Sequence, residues 1–80
     1  MKIEDIKEIK MITKTVCPYC VKAKSLLKSK GLEWTEESIE DPAVRESFMT
    51  EYPTARTVPQ IFINGNRIGG YDDLVGLGLE

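Results

Sequence analysis

"TVCPYCVKAK", residues 15–24, contains both cysteines of the chain, Cys17 and Cys20, separated only by Pro18 and Tyr19. Continued as "CVKAKSLLKSKG" (20–31), it places Cys20, Ala23 and Leu27 at helical spacing, joined by Leu26, and puts Gly31 where a helix stops. Pro18 has a fixed φ suited to a first helical position. The reading is therefore a helix that begins immediately after Cys17, with Cys20 one turn inside it. Upstream, "IKMIT" (9–13) is a short apolar run with Ile9 and Met11 on one side, read as a buried strand.

Three readings of the cysteine pair compete. A structural staple is a poor one, because a disulfide gains by closing a long loop of the unfolded chain and this loop is minimal. Zinc usually takes four Cys or His ligands; this chain has two cysteines and no histidine. What remains is a dithiol that opens and closes. At i and i+3 of a regular helix the Cβ atoms lie about 5–6 Å apart, against about 3.5–4.5 Å in a disulfide. Closing the bond is expected to distort the first turn and to leave a bridge that is easily reduced.

The two cysteines are not equivalent. Cys17 meets the positive end of the helix dipole and free backbone N–H groups, whereas Cys20 faces inward. Cys17 is read as an exposed attacking thiolate and Cys20 as the resolving thiol. Lowering a thiol pKa from about 8.5 to about 5 takes roughly 4–5 kcal/mol. A helix terminus supplies at most about 2 kcal/mol. Lys14 and the N–H groups of Tyr19 and Cys20 are expected to supply the rest.

Beyond the first helix, "LEWTEESI" puts Leu32 and Trp34 on one face of a second strand. "DPAVRESFMTEY" opens with Asp41 as N-cap and Pro42 as first helical residue. "VPQIFI" and "NRIGG" are strands joined by Asn64-Gly65, a hairpin dipeptide that tolerates positive φ. "YDDLVGLGLE" is a short closing helix, weakened by Gly76 and Gly78 and expected to fray. The order β-α-β-α-β-β-α implies a parallel crossover first and an antiparallel pair last. This α/β pattern, a mixed four-stranded sheet flanked by three helices, resembles the thioredoxin-like fold.

At 80 residues the chain is read as a single domain, residues 1–80, with residues 1–8 a charged extension of unread role. Hydrophobic residues make up 41% and charged ones 30%, a balance that argues against disorder and repeats. No apolar run of about 18 residues could span a bilayer, and the start lacks a signal-peptide core. A reducing cytoplasm is the expected compartment. Residues 9–32 carry six lysines and no acid, while 33–51 carry seven acids against Arg45. The lysines read either as a solvated helix face or as a positive field around the cysteines. Nucleic acid is a poor partner, since the net charge is −2 and no aromatics interleave with the lysines.

Cys-Pro-Tyr-Cys with Lys14 three residues upstream resembles the active site of dithiol glutaredoxins. "RTVPQIFING" (56–65) resembles the family's segment with a cis Val-Pro bond, and "GGYDDL" (69–74) its turn for the glutamyl end of glutathione. The resemblance implies a glutathione-dependent thiol–disulfide oxidoreductase, a monomer with glutathione as reductant and no bound cofactor or metal. Its substrates would be glutathionylated proteins and protein disulfides such as that of ribonucleotide reductase. Cys17 and Cys20 would be catalytic. Lys14 and Arg56 would meet the glycine carboxylate, Tyr19 and Thr57 would line the groove, and Val58 would pair its backbone with the cysteinyl unit. Pro59 would shape that surface. Gly70 would give close approach, the N–H groups of Tyr71 and Asp72 would hold the glutamyl carboxylate, and Asp72 or Asp73 its ammonium.

Each has a plainer reading: Tyr19 as cover for the helix end, Lys14 and Arg56 as surface charges, Gly69-Gly70 as a turn, the aspartates as helix starters. The chain departs from the family where Ala55 replaces a Gln or basic residue and where Tyr71 is larger than usual. Three rivals remain: a donor recharged by thioredoxin reductase, a glutathione-ligated iron–sulfur carrier, which Pro18 disfavours, and a non-catalytic binding module.

Overall fold

A computed structural model describes all residues, Met1–Glu80. Strand β1 (Ile9–Thr13) is followed by α1 (Pro18–Ser29), β2 (Thr35–Ser38), α2 (Pro42–Glu51), β3 (Gln60–Ile63), β4 (Asn66–Gly69) and α3 (Tyr71–Gly76). The sheet order is β2-β1-β3-β4. β1 pairs in parallel with β2 and antiparallel with β3, and β3 pairs antiparallel with β4. The expected element order and mixed sheet are both present. No helix is long and apolar enough to cross a membrane.

Alternation along the central strands sorts side chains into two layers. Ile9, Met11, Ile61 and Ile63 face α1 and α3, where Ala23, Leu27 and Leu74, with Leu79 from the segment after α3, complete the core. On the other face Phe62 meets Phe48 of α2 and Tyr52 at its C-cap, the Phe48 and Phe62 rings lying edge to face at 6.4 Å. Asp41 caps α2 by accepting from the Ala43 N–H at 2.9 Å. Asn64 (φ 53°) and Gly65 (φ 81°) form the two-residue hairpin turn.

Two expectations need correction. β2 does not contain Leu32 or Trp34; these precede it and pack against the core, while all four β2 residues are exposed. An edge strand held by pairing with β1 tolerates this polarity, because its acids find partners. Glu36 accepts from Thr13 Oγ1 at 2.9 Å and pairs with Lys24 at 2.8 Å, and Glu37 pairs with Lys10. Burial works to raise the Glu36 carboxyl pKa, but hydrogen bonds from Lys24, Trp34 and Thr13 outweigh it and hold it below the ordinary range.

Residues 1–8, the charged extension whose role the sequence leaves unread, lie against the fold. Ile3 and Ile6 pack on the core, and Asn64 Oδ1 accepts from the N–H groups of Lys7 (2.7 Å) and Glu8 (3.1 Å). The closing segment does not fray. Leu79 is buried, Ile3 N–H donates to Glu80 O at 2.8 Å, and Glu80 N–H donates to Met1 O at 3.2 Å.

Candidate active site

Cys17 is the N-cap of α1, with extended backbone (φ −150°, ψ 96°). The first helical bond, Val21 N–H to Cys17 O at 3.1 Å, is intact. Cys17 and Cys20 are joined as a disulfide with Cα atoms 5.1 Å apart. The expected distortion of the first turn is absent, for a local reason. The i,i+3 spacing applies only when both residues are helical, and the extended Cys17 swings its sulfur over the helix end.

Cys17 Sγ accepts from the Cys20 N–H at 3.1 Å. Of the two amides expected to solvate it, Cys20 therefore contributes and Tyr19 does not. Cys17 is also less exposed than expected, at 7%, with Cys20 at 2%. Cover comes from the 56–59 segment, whose Val58–Pro59 bond is cis and whose Val58 carbonyl oxygen lies 3.7 Å from Cys17 Sγ. Val58 N–H makes no hydrogen bond within the protein, so an open stretch of backbone runs beside the reactive sulfur.

Two adjoining recesses share Tyr19, Thr57 and Val58. The larger, about 390 Å³, contains Cys17 and carries Lys14 and Arg56 at one end, neither of them in an ion pair. The smaller, about 230 Å³, runs past Pro59 to Gly70, Tyr71, Asp72 and Asp73. Every residue singled out from the sequence thus lines one continuous groove, except Cys20, which is buried beneath Cys17. Tyr71 stands against Tyr19, ring centroids 6.0 Å apart, and bounds the groove.

The α3 end distinguishes the two aspartates. Asp73 Oδ2 accepts from the Gly70 N–H at 3.0 Å, so it is engaged as a cap. Asp72 is exposed and makes no such bond. The first-turn amides of Tyr71 and Asp72 have no intrahelical acceptor, and both residues line the smaller recess. Gly69 precedes this turn at φ 126°, with the Asp73 carboxylate against the place a Cβ would occupy.

Sequence reasoning missed Val16, Ile39 and Met49, which line the larger recess, and Glu40, which braces the loop before Cys17. No motif marks Glu40; it lies 25 residues from Thr15, the residue it holds, and only the tertiary fold joins them.

The glutaredoxin family model matches residues 9–68. The chain belongs to the glutaredoxin family. It is 45% identical over 69 residues to glutaredoxin 3 of Escherichia coli K12, covering 86% of this chain and 83% of that one. Among solved structures, the dithiolic glutaredoxin 2-C-Grx1 of Trypanosoma brucei brucei superposes with TM-score 0.76 at 35% identity, covering 89% of this chain and 76% of the other. A buckwheat glutaredoxin–glutathione complex has TM-score 0.76 at 27% identity, covering 88% and 66%. With its Cys17–Cys20 pair, this glutaredoxin is a glutathione-dependent thiol–disulfide oxidoreductase of the dithiol type with a thioredoxin-like fold.

Proposed function

We propose that Cys17 is the nucleophile, Cys20 the resolving thiol, and the groove from Lys14 to Asp72 the glutathione site. The Cys17 thiolate attacks the glutathionyl sulfur of a mixed disulfide, and the substrate thiolate leaves and takes up a proton. A second glutathione thiolate then attacks the glutathione sulfur bound to Cys17. Glutathione disulfide departs and the Cys17 thiolate is regenerated. With a protein disulfide, Cys17 attacks one sulfur, Cys20 then attacks Cys17 Sγ, and the substrate leaves as a dithiol. Two glutathiones reduce the resulting Cys17–Cys20 bond. The Cys20 N–H and the positive helix end stabilise the thiolate in both routes.

The observation that carries this reading is the unpaired Val58 N–H beside Cys17, with Lys14 and Arg56 at one end of its groove and a helix start at the other. An extended tripeptide with a carboxylate at each end matches that polarity. Asp72 is the carboxylate left free for the ammonium group, since Asp73 is held by Gly70. We assign Pro59, Tyr19, Thr57 and Tyr71 to shaping the walls. The setting we propose is a monomer in a reducing cytoplasm, acting on glutathionylated proteins and on protein disulfides such as that of ribonucleotide reductase.

The test is reduction of a small glutathione mixed disulfide with glutathione as sole reductant. Native protein is expected to turn over, and Arg56→Ala with Lys14→Ala is expected to raise KM about tenfold, as losing charge-assisted contacts to a carboxylate does. Turnover that requires thioredoxin reductase instead would sink the assignment.

A further inference from the structure

The segment Lys14-Thr15-Val16 connects the end of β1 to Cys17, and all three residues are exposed. Nothing in its own sequence fixes its path. One side chain does so from outside. Glu40, between β2 and α2, accepts through Oε1 from the Thr15 N–H at 2.9 Å and from Thr15 Oγ1 at 2.5 Å. Its own backbone is held, since Glu40 N–H donates to Ser38 Oγ at 3.1 Å and Ile39 N–H donates to Thr13 O at 2.8 Å.

We propose that Glu40 is a positioning residue for the reaction, holding Thr15 so that Lys14 and Cys17 stand at the spacing glutathione bridges. This rests on the glutathione site proposed above and adds to it a residue outside the groove. The Thr15 hydroxyl and N–H hold the Glu40 carboxyl pKa below the ordinary range, so the acceptor is ionised wherever the thiol chemistry runs. A fixed brace matters because both ends of the ligand are anchored. Cys17 is set by α1, whereas Lys14 lines the groove from the loop residue next to Thr15, which Glu40 holds.

Removing the brace should therefore weaken glutathione binding more than it slows chemistry. The experiment measures KM and kcat for a small glutathione mixed disulfide in native protein, Glu40→Ala, Glu40→Gln and Thr15→Val. Glu40→Ala is expected to raise KM about fivefold with kcat within about twofold of native. Glu40→Gln keeps an oxygen acceptor and is expected to recover KM to within about twofold of native. A merely structural role would lower thermal stability without this split or this rescue.

Native KM in Glu40→Ala, or a defect in Glu40→Gln as large as in Glu40→Ala, overturns the proposal. Should Glu40→Ala not fold, Thr15→Val decides, since it removes the hydroxyl donor and keeps the N–H. A KM rise of about two- to threefold supports the brace, and a native KM overturns it. Native protein inactive with glutathione would overturn the site reading itself, a different result from active native protein with indifferent variants.

Discussion

Cys17→Ser is expected to lose turnover with glutathione mixed disulfides by about a thousandfold or more, because a serine hydroxyl is not ionised at neutral pH and cannot exchange with a disulfide. Cys20→Ser is expected to keep that activity within about threefold, while losing reduction of protein disulfides that need a second thiol. The asymmetry follows from placement. Cys17 lies in the groove at the helix end, receives the Cys20 N–H, and faces the Val58 carbonyl. Cys20 is at 2% exposure, so on the proposed assignment it meets substrate only through Cys17. Because the N–H that solvates Cys17 Sγ is backbone, serine at position 20 leaves it in place. Steady-state rates on a small mixed disulfide and on a protein disulfide separate the two roles. Equal losses from both substitutions on the small substrate would contradict them.

The second large effect concerns the scaffold. Leu74→Ala is expected to cost about 3 kcal/mol, within the usual range for a large-to-small change in a packed core. A chain of this length has a total stability of about 4–12 kcal/mol, so the loss is a major fraction. Leu74 is fully buried in the cluster formed by Leu27, Ile61, Ile63 and Leu79. It is also the buried anchor of α3, whose first turn presents the Tyr71 and Asp72 amides to the groove. Urea or thermal unfolding measures the cost, with a fall in midpoint of about 12–24 °C expected for a domain this small. A loss below about 1 kcal/mol would mean that α3 is not seated in the core.

Where the chain's own chemistry dictates local structure, the sequence was legible. Asp41-Pro42 starts a helix, Asn64-Gly65 turns a hairpin, and a proline after Cys17 makes that cysteine a cap. These signals need no partner outside a few residues. Legibility failed where a distant group decides. β2 reads weakly because its acids are satisfied by Thr13, Lys24 and Lys10 rather than by burial. The role of residues 1–8 stayed unread because the groups that hold the segment are distant: Ile3 and Ile6 pack on the core, and Asn64 and the Glu80 backbone bond to it. The first turn of α1 stays regular because Cys17 is outside the helix, a matter of one φ/ψ pair that spacing alone does not reveal.

The residues that the family resemblance singled out lie together along two adjoining recesses, and the structure adds how each is held. Asp72 and Asp73 are equivalent in sequence, and only the bond from Gly70 to Asp73 separates them.

The most direct test of the glutathione groove is to trap Cys20→Ser as its mixed disulfide with glutathione and follow the backbone amides by NMR. The largest shifts are expected at Val58, Tyr71 and Asp72, with the Lys14 and Arg56 side chains also moving. Unchanged signals there, with shifts instead at Lys10, Tyr52 and Phe62 on the opposite face of the sheet, would contradict the account.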